Sequence, residues 1–99
     1  MKMVFVVHTD HYASKVFELL HAAGIDYFTR WDQAIGKGHG TEPHLGKGSY
    51  ASTNSVMMIG FPDEAPLERL IEGIGAANAG IKRPADRIRL FQLPLERMV

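Results

Sequence analysis

Two short runs, KMVFVVH at residues 2–8 and SVMMIGF at residues 55–61, are apolar on both of their alternating faces. In the first, Val4 and Val6 point one way and Phe5 and Val7 the other. In the second, Val56 and Met58 oppose Met57, Ile59 and Phe61. Side chains alternate across a strand, so each run predicts a strand covered on both sides. That requirement restricts the chain to a sheet with something packed against each face.

The intervening segments predict what supplies one cover. After the first strand, Thr9 or Asp10 is placed to cap a helix running to about Ala23. Its apolar positions Tyr12, Val16, Leu19, Leu20 and Ala23 fall on one stripe, and Gly24 stops it. Residues 26–34, DYFTRWDQA, carry the aromatic and β-branched content of a strand. Pro62 breaks the run at 55–61, and Asp63 is placed to cap a second helix through about Asn78, with Pro66 in its first turn. Leu67, Leu70, Ile71, Ile74 and Asn78 make its inward stripe. Gly73 and Gly75 mark close packing or flexibility there. A last strand, RIRLFQL, spans residues 87–93 and is closed by Pro94.

The order βαββαβ predicts an α+β, ferredoxin-like fold: four antiparallel strands with both helices on one face, in a single domain over residues 1–99. Two helices cover one face of the sheet. The other needs a cover that no remaining segment provides, which predicts self-association through the open face.

Composition narrows the function classes. Eleven basic residues balance eleven acidic ones. The surplus of Lys and Arg that a general nucleic-acid binder needs is missing, and no nucleic-acid partner is expected. Without cysteine, the chain has no disulfide, thiolate metal site or cysteine nucleophile. The N-terminal apolar run is too short for a signal peptide and no stretch is long enough for a membrane span, so a cytoplasmic protein is expected. No catalytic motif is present either, and the chain reads as a non-enzyme.

One segment, GKGHGTEPHLGKGSY at residues 36–50, contributes almost nothing to a core. Its backbone freedom suits contact with a ligand or a partner. Together with the βαββαβ order, Glu42-Pro43-His44-Leu45-Gly46 followed by Asn54-Ser55 resembles the small PII-like signalling proteins that carry a G-P-H-L-G-type signature. The resemblance implies a homotrimer with sheets facing inward, and a T-loop at about residues 36–54. It implies a small effector in the intersubunit clefts, with ADP or ATP as candidates, and a target protein, such as a membrane transporter, regulated through the loop. On this reading Gly36, Lys37, Gly38, Thr41, Gly80, Lys82, Arg83 and Arg87 face the ligand. Glu42, Pro43, His44, Leu45 and Tyr50 face the partner. Residues 36–50 lack the T-loop glutamine with which nitrogen-regulating members complete a magnesium and 2-oxoglutarate site, so that ligand is not expected.

Other readings remain beside this one. His39 and His44 are imidazoles of the kind that hold a divalent metal, as in trimeric CutA-like proteins of the same fold; solvated or partner-contacting histidines are the plainer alternative. Lys82, Arg83, Arg87 and Arg89 form a basic cluster that is simply solvated or, as the resemblance implies, turns Lys82, Arg83 and Arg87 toward a phosphate. Trp31 is placed to pack at a subunit interface or to stack on a base. A small enzyme built around a dimer cavity is the third class.

Overall fold

A computed structural model describes residues 1–46 and 52–99. Strand β1 (Lys2–Thr9) leads through a 3-10 turn (Asp10–Tyr12) into helix α1 (Ala13–Ala23). Strands β2 (Thr29–Ala34) and β3 (Asn54–Phe61), helix α2 (Ala65–Ala79), a second 3-10 turn (Pro84–Asp86) and strand β4 (Arg89–Pro94) follow. The sheet is ordered β2-β3-β1-β4 and antiparallel throughout. This is the ferredoxin-like arrangement.

Register explains the two-sided strands. Val4, Val6, Met57, Ile59 and Phe61 share one face and are fully buried. They pack with Val16, Leu20 and Ala23 of α1 and with Leu67, Leu70 and Ile74 of α2. Each such side chain contributes about 1.5–3 kcal/mol relative to exposure, so this layer dominates the core. The opposite face consists of cross-strand rows. Trp31, Val56, Val7 and Arg89 form one, Thr29, Met58, Phe5 and Phe91 the next, and Gly60, Met3 and Leu93 the last. Trp31 and Phe91 are each about half exposed, at 50% and 53%. Both helices lie on the other side, leaving these rows uncovered except where the chain after β2 passes over the first of them and at one corner of the last. There Met98 of the C-terminal tail lies so close to Gly60 that a β-carbon on Gly60 would stand 2.7 Å from its sulfur.

The starts of both helices depart from the sequence reading. Neither Thr9 nor Asp10 caps α1, whose N-cap position is Tyr12 and makes no side-chain cap bond. Asp10 is used instead to hold the chain leaving the loop: its backbone N–H donates to the Thr53 carbonyl at 3.0 Å, and its carboxylate accepts from the Thr53 hydroxyl. Asp63 does not take the N-cap position of α2 either: that position is Glu64, which makes no side-chain cap bond, and the Asp63 carboxylate one residue earlier accepts from the Ala65 N–H at 3.3 Å. Gly24 behaves as expected, taking the left-handed conformation, φ 77°, and ending α1.

Within α2, Ile71 lies 36% exposed rather than on the inward stripe. Asn78 is inward, but as a clamp: its side chain donates to the Ile88 carbonyl at 2.7 Å and accepts from the Ile88 N–H at 2.8 Å. Ile88 is buried in the core with both of its backbone groups held by Asn78, and β4 starts at Arg89, two residues later than expected. Gly73 permits close helix packing, since a β-carbon there would lie 3.0 Å from Leu19, whereas nothing crowds Gly75.

Candidate functional site

The uncovered face of the sheet ends beneath the glycine segment, and the segment's own hydrogen bonds decide where it sits. Between Trp31 and Ala34 the β2–β3 register shifts, and Gln33 adopts φ 59°. Such a bulge bends the strand away from its ladder. The chain then returns on itself, with Gly36 and His44 exchanging both backbone hydrogen bonds at 2.8 and 2.6 Å. Inside this closure Thr41 N–H donates to the Gly38 carbonyl at 3.3 Å. A β-carbon at Gly38 would stand 2.7 Å from the Thr41 hydroxyl, so a larger residue there requires the Thr41 side chain to move. His44 is buried, and its Nδ1 lies 2.7 Å from Asn54 Oδ1. The carboxamide oxygen can only accept, which makes the imidazole the donor.

Between this loop and the sheet lies a cleft of about 260 Å³. Val7, Val56 and Phe91 form its apolar floor, Thr9 and Asn54 its polar end, and residues 35–38 its roof. Lys37, Arg87 and Arg89 contribute three cations, and among the described residues no carboxylate lines it. Neither Arg87 nor Arg89 has an ion-pair partner among the described residues. The Lys37 ammonium reaches only the Gly38 carbonyl, at 3.2 Å. Unneutralised guanidinium groups beside an aromatic floor make a receptor for an anion with a flat apolar body.

Of the residues expected to face a ligand, the fold brings Gly36, Lys37, Gly38, Thr41 and Arg87 to this one cleft. Gly80, Lys82 and Arg83 are not among its lining residues. Arg83 is engaged elsewhere, paired with Glu42 of the loop and 3.8 Å from Asp86. Among the residues assigned to a partner, Glu42 and Leu45 are exposed, Pro43 is half-buried and His44 is turned inward. Tyr50 lies outside the described residues. His39 is exposed, and no group of three or more His, Asp or Glu side chains is gathered for a metal among the described residues.

Sequence reasoning did not assign Thr9, Asn54, Val56, Phe91 or Arg89 to the site. The signal was present in the strand parity. All five belong to the face opposite Val4 and Val6, at the end where β1 and β3 run toward the loop.

Behind the cleft is a second polar group. His8 is almost fully buried, and its Nδ1 donates to the Thr9 carbonyl at 2.8 Å. Burial pushes the imidazole below its ordinary pKa, and the bond to Thr9 opposes part of that shift. Its Nε2 and the buried Thr9 hydroxyl have no hydrogen-bond partner among the described residues. Nearby, Arg30 and Ser55 donate to Asp32 at 2.6 and 2.8 Å and hold its carboxyl below the usual range.

No protein-family model matches the sequence, and no curated protein matches it either. Solved structures do resemble it. CPII from Thiomonas intermedia K12, bound to ADP and bicarbonate, is 17% identical with a TM-score of 0.68, over 97% of this chain and 88% of that one. A second structure of CPII, described as a nitrogen regulatory PII-like protein and bound to ADP, AMP and bicarbonate, is 18% identical with a TM-score of 0.67, over the same shares. A third, with ADP, AMP and acetate, is 14% identical with a TM-score of 0.60. At these identities the likeness is one of fold: the chain has the fold of PII-like proteins.

Proposed function

We propose that the chain is a non-enzymatic, PII-like sensor that binds an adenine nucleotide in the cleft beneath residues 35–44 and signals to a target protein through that loop. The carrying observation is the cleft's composition: three cations, no carboxylate among the described residues, and an aromatic floor at the foot of a glycine-rich loop. Loop glycines let backbone N–H groups approach a phosphate, and Arg87 and Arg89 supply charge-assisted hydrogen bonds. Phe91 and Val56 offer surface to a base. CPII, of the same fold, has been solved with ADP.

At about 260 Å³ the cleft of one chain is smaller than the ~300–1,000 Å³ that small-molecule sites occupy. A second wall completes it, and the uncovered rows carrying Trp31, Phe5 and Phe91 run directly into the cleft. Homotrimerisation through this face covers the apolar rows and closes the site between subunits. Gly80 and Lys82, outside the cleft of their own chain, are assigned to the outer part of that composite site.

Calorimetric titration of ADP tests the reading. Wild-type protein should bind, and replacing Arg87 and Arg89 together with alanine should weaken binding at least about tenfold, the loss expected for charge-assisted contacts. Absence of binding, or equal affinity in the double variant, would overturn it.

A further inference from the structure

Thr9 and Asn54 face each other across β1 and β3, one row beyond the Val7–Val56 pair of the cleft floor. Both line the cleft. The Thr9 hydroxyl is buried, in a residue only 1% exposed, and has no hydrogen-bond partner among the described residues. Asn54 is oriented by its neighbour: its Oδ1 accepts from His44 Nδ1 at 2.7 Å, so the amide nitrogen takes the other side. There it lies against Gly36, where a β-carbon would stand 3.6 Å from Nδ2. Buried polar groups are ordinarily paired, so an orphaned hydroxyl beside a fixed amide donor marks a place built for a ligand atom. Resting on the nucleotide reading of the cleft, we propose that Thr9 and Asn54 form an uncharged subsite for the terminal phosphate, with His44 as the residue that positions the Asn54 donor.

The donor set selects an oxyanion. With its oxygen occupied, the Asn54 carboxamide can only donate into the cleft, and the Thr9 hydroxyl is free to rotate into a donor. A phosphate oxygen only accepts and matches both. A base edge, which mixes donors and acceptors, matches them less well. Charge is supplied by Lys37, Arg87 and Arg89 in the same cleft, so the subsite itself carries none. This end of the cleft is also closed. One residue beyond the pair, the Asp10 N–H donates to the Thr53 carbonyl at 3.0 Å, and on the loop side Gly36 and His44 exchange their backbone bonds. Only the last group of a ligand reaches such an end, which makes the pair a reader of phosphate number: ADP fills it, whereas AMP, one phosphate shorter, stops at the cations. His8, the residue before Thr9, belongs by strand parity to the face of Val4 and Val6 and takes no part.

Titration with ADP and with AMP tests the assignment. Wild-type protein should bind ADP at least about tenfold more tightly than AMP. Thr9→Val keeps the shape of the side chain and removes the hydroxyl. It should weaken ADP about five- to tenfold and leave AMP within about twofold. The Tm of the ligand-free variant should be no lower than that of wild type, since no bond among the described residues is lost. A threonine serving the fold alone would instead lower Tm and leave the ratio of the two affinities unmoved. His44→Ala frees the Asn54 amide to turn over and should reduce the preference for ADP. His44→Gln, whose amide can still donate to Asn54 Oδ1, should restore part of that preference. Equal loss of both nucleotides in Thr9→Val, an unchanged ADP affinity, or a lower Tm in that variant overturns the subsite and leaves the nucleotide reading standing. Inorganic phosphate that stabilises wild type but not Thr9→Val, with ADP affinity the same in both, overturns it in favour of a free oxyanion. Absence of ADP binding by the wild-type protein overturns both readings.

Discussion

The imidazole of His44 and the carboxamide of Asn54 lie 2.7 Å apart, joining the end of the glycine loop to the first residue of β3. This bond converts what reads as a free arm into a segment with a fixed base. It also accounts for the burial of a histidine in a sequence stretch otherwise open to water.

Replacing His44 with alanine should therefore cost more than a surface change. Losing a part-buried hydrogen bond amounts to about 1 kcal/mol, or about 4–8 °C in Tm for a domain of this size. Hydrogen exchange should show the loss concentrated at residues 36–46. Thermal unfolding indistinguishable from wild type would mean that the bond does not hold the base.

Asn78 predicts a larger effect. Its side chain satisfies both backbone groups of the fully buried Ile88, and removal leaves a donor and an acceptor without partners. Asn78→Ala should destabilise the fold by about 2–4 kcal/mol. Denaturant titration measures this directly, and a loss below about 1 kcal/mol would show that water replaces the clamp.

His8 predicts a pH dependence. Burial, the largest cause, lowers its pKa from 6.5, and Arg30 adds to the lowering. The Thr9 carbonyl, Asp10 and Asp32 oppose it. The unfolded chain then takes up a proton on this residue near its ordinary value, and the folded chain only at lower pH. Stability from this group is complete above 6.5 and declines as pH falls from there toward the folded value. Tm measured from about pH 7.5 down to about pH 5 should fall, and His8→Gln should flatten that slope whatever its own absolute stability. An equal slope in the variant would remove His8 as its source.

Phe91 tests the assembly. It lies on the edge strand β4 of the uncovered face, paired with Phe5 of β1, and is 53% exposed. Phe91→Glu should convert trimers to monomers in light scattering, because a buried unpaired carboxylate costs several kcal/mol at each copy of the contact. Wild-type protein that is already monomeric would contradict the proposed assembly outright.

Strand parity carried most of the fold: Val4 and Val6 against Phe5 and Val7 gave a sheet with two apolar faces, and the spacing of the helical stripes gave one cover. Side chains acting on distant backbone were not readable in this way. Asp10 has the composition of a helix cap, yet tertiary contact with Thr53 outweighed local capping. Ile88 continues the alternation of a strand, yet Asn78, ten residues earlier, takes both of its backbone groups and keeps it out of the ladder. Chain order placed β2 at residue 26, whereas Tyr27 and Phe28 leave the ladder to pack edge-on against Phe61 and tilted against Phe17. In the site, the glycine loop was legible because glycine has few other uses at such density. The floor was not, because Phe91, Val56 and Thr9 look like any strand residues until the register sets them beneath the loop.

Thermal unfolding with and without ADP tests the central claim most directly. Ligand at about 100 times its Kd stabilises the folded state by about 2.7 kcal/mol per site, and Tm should rise by about 11–22 °C. The rise should be lost when Arg87 and Arg89 are both alanine. An unchanged Tm at saturating ADP, or an equal rise in that variant, would contradict the assignment of this cleft as a nucleotide site.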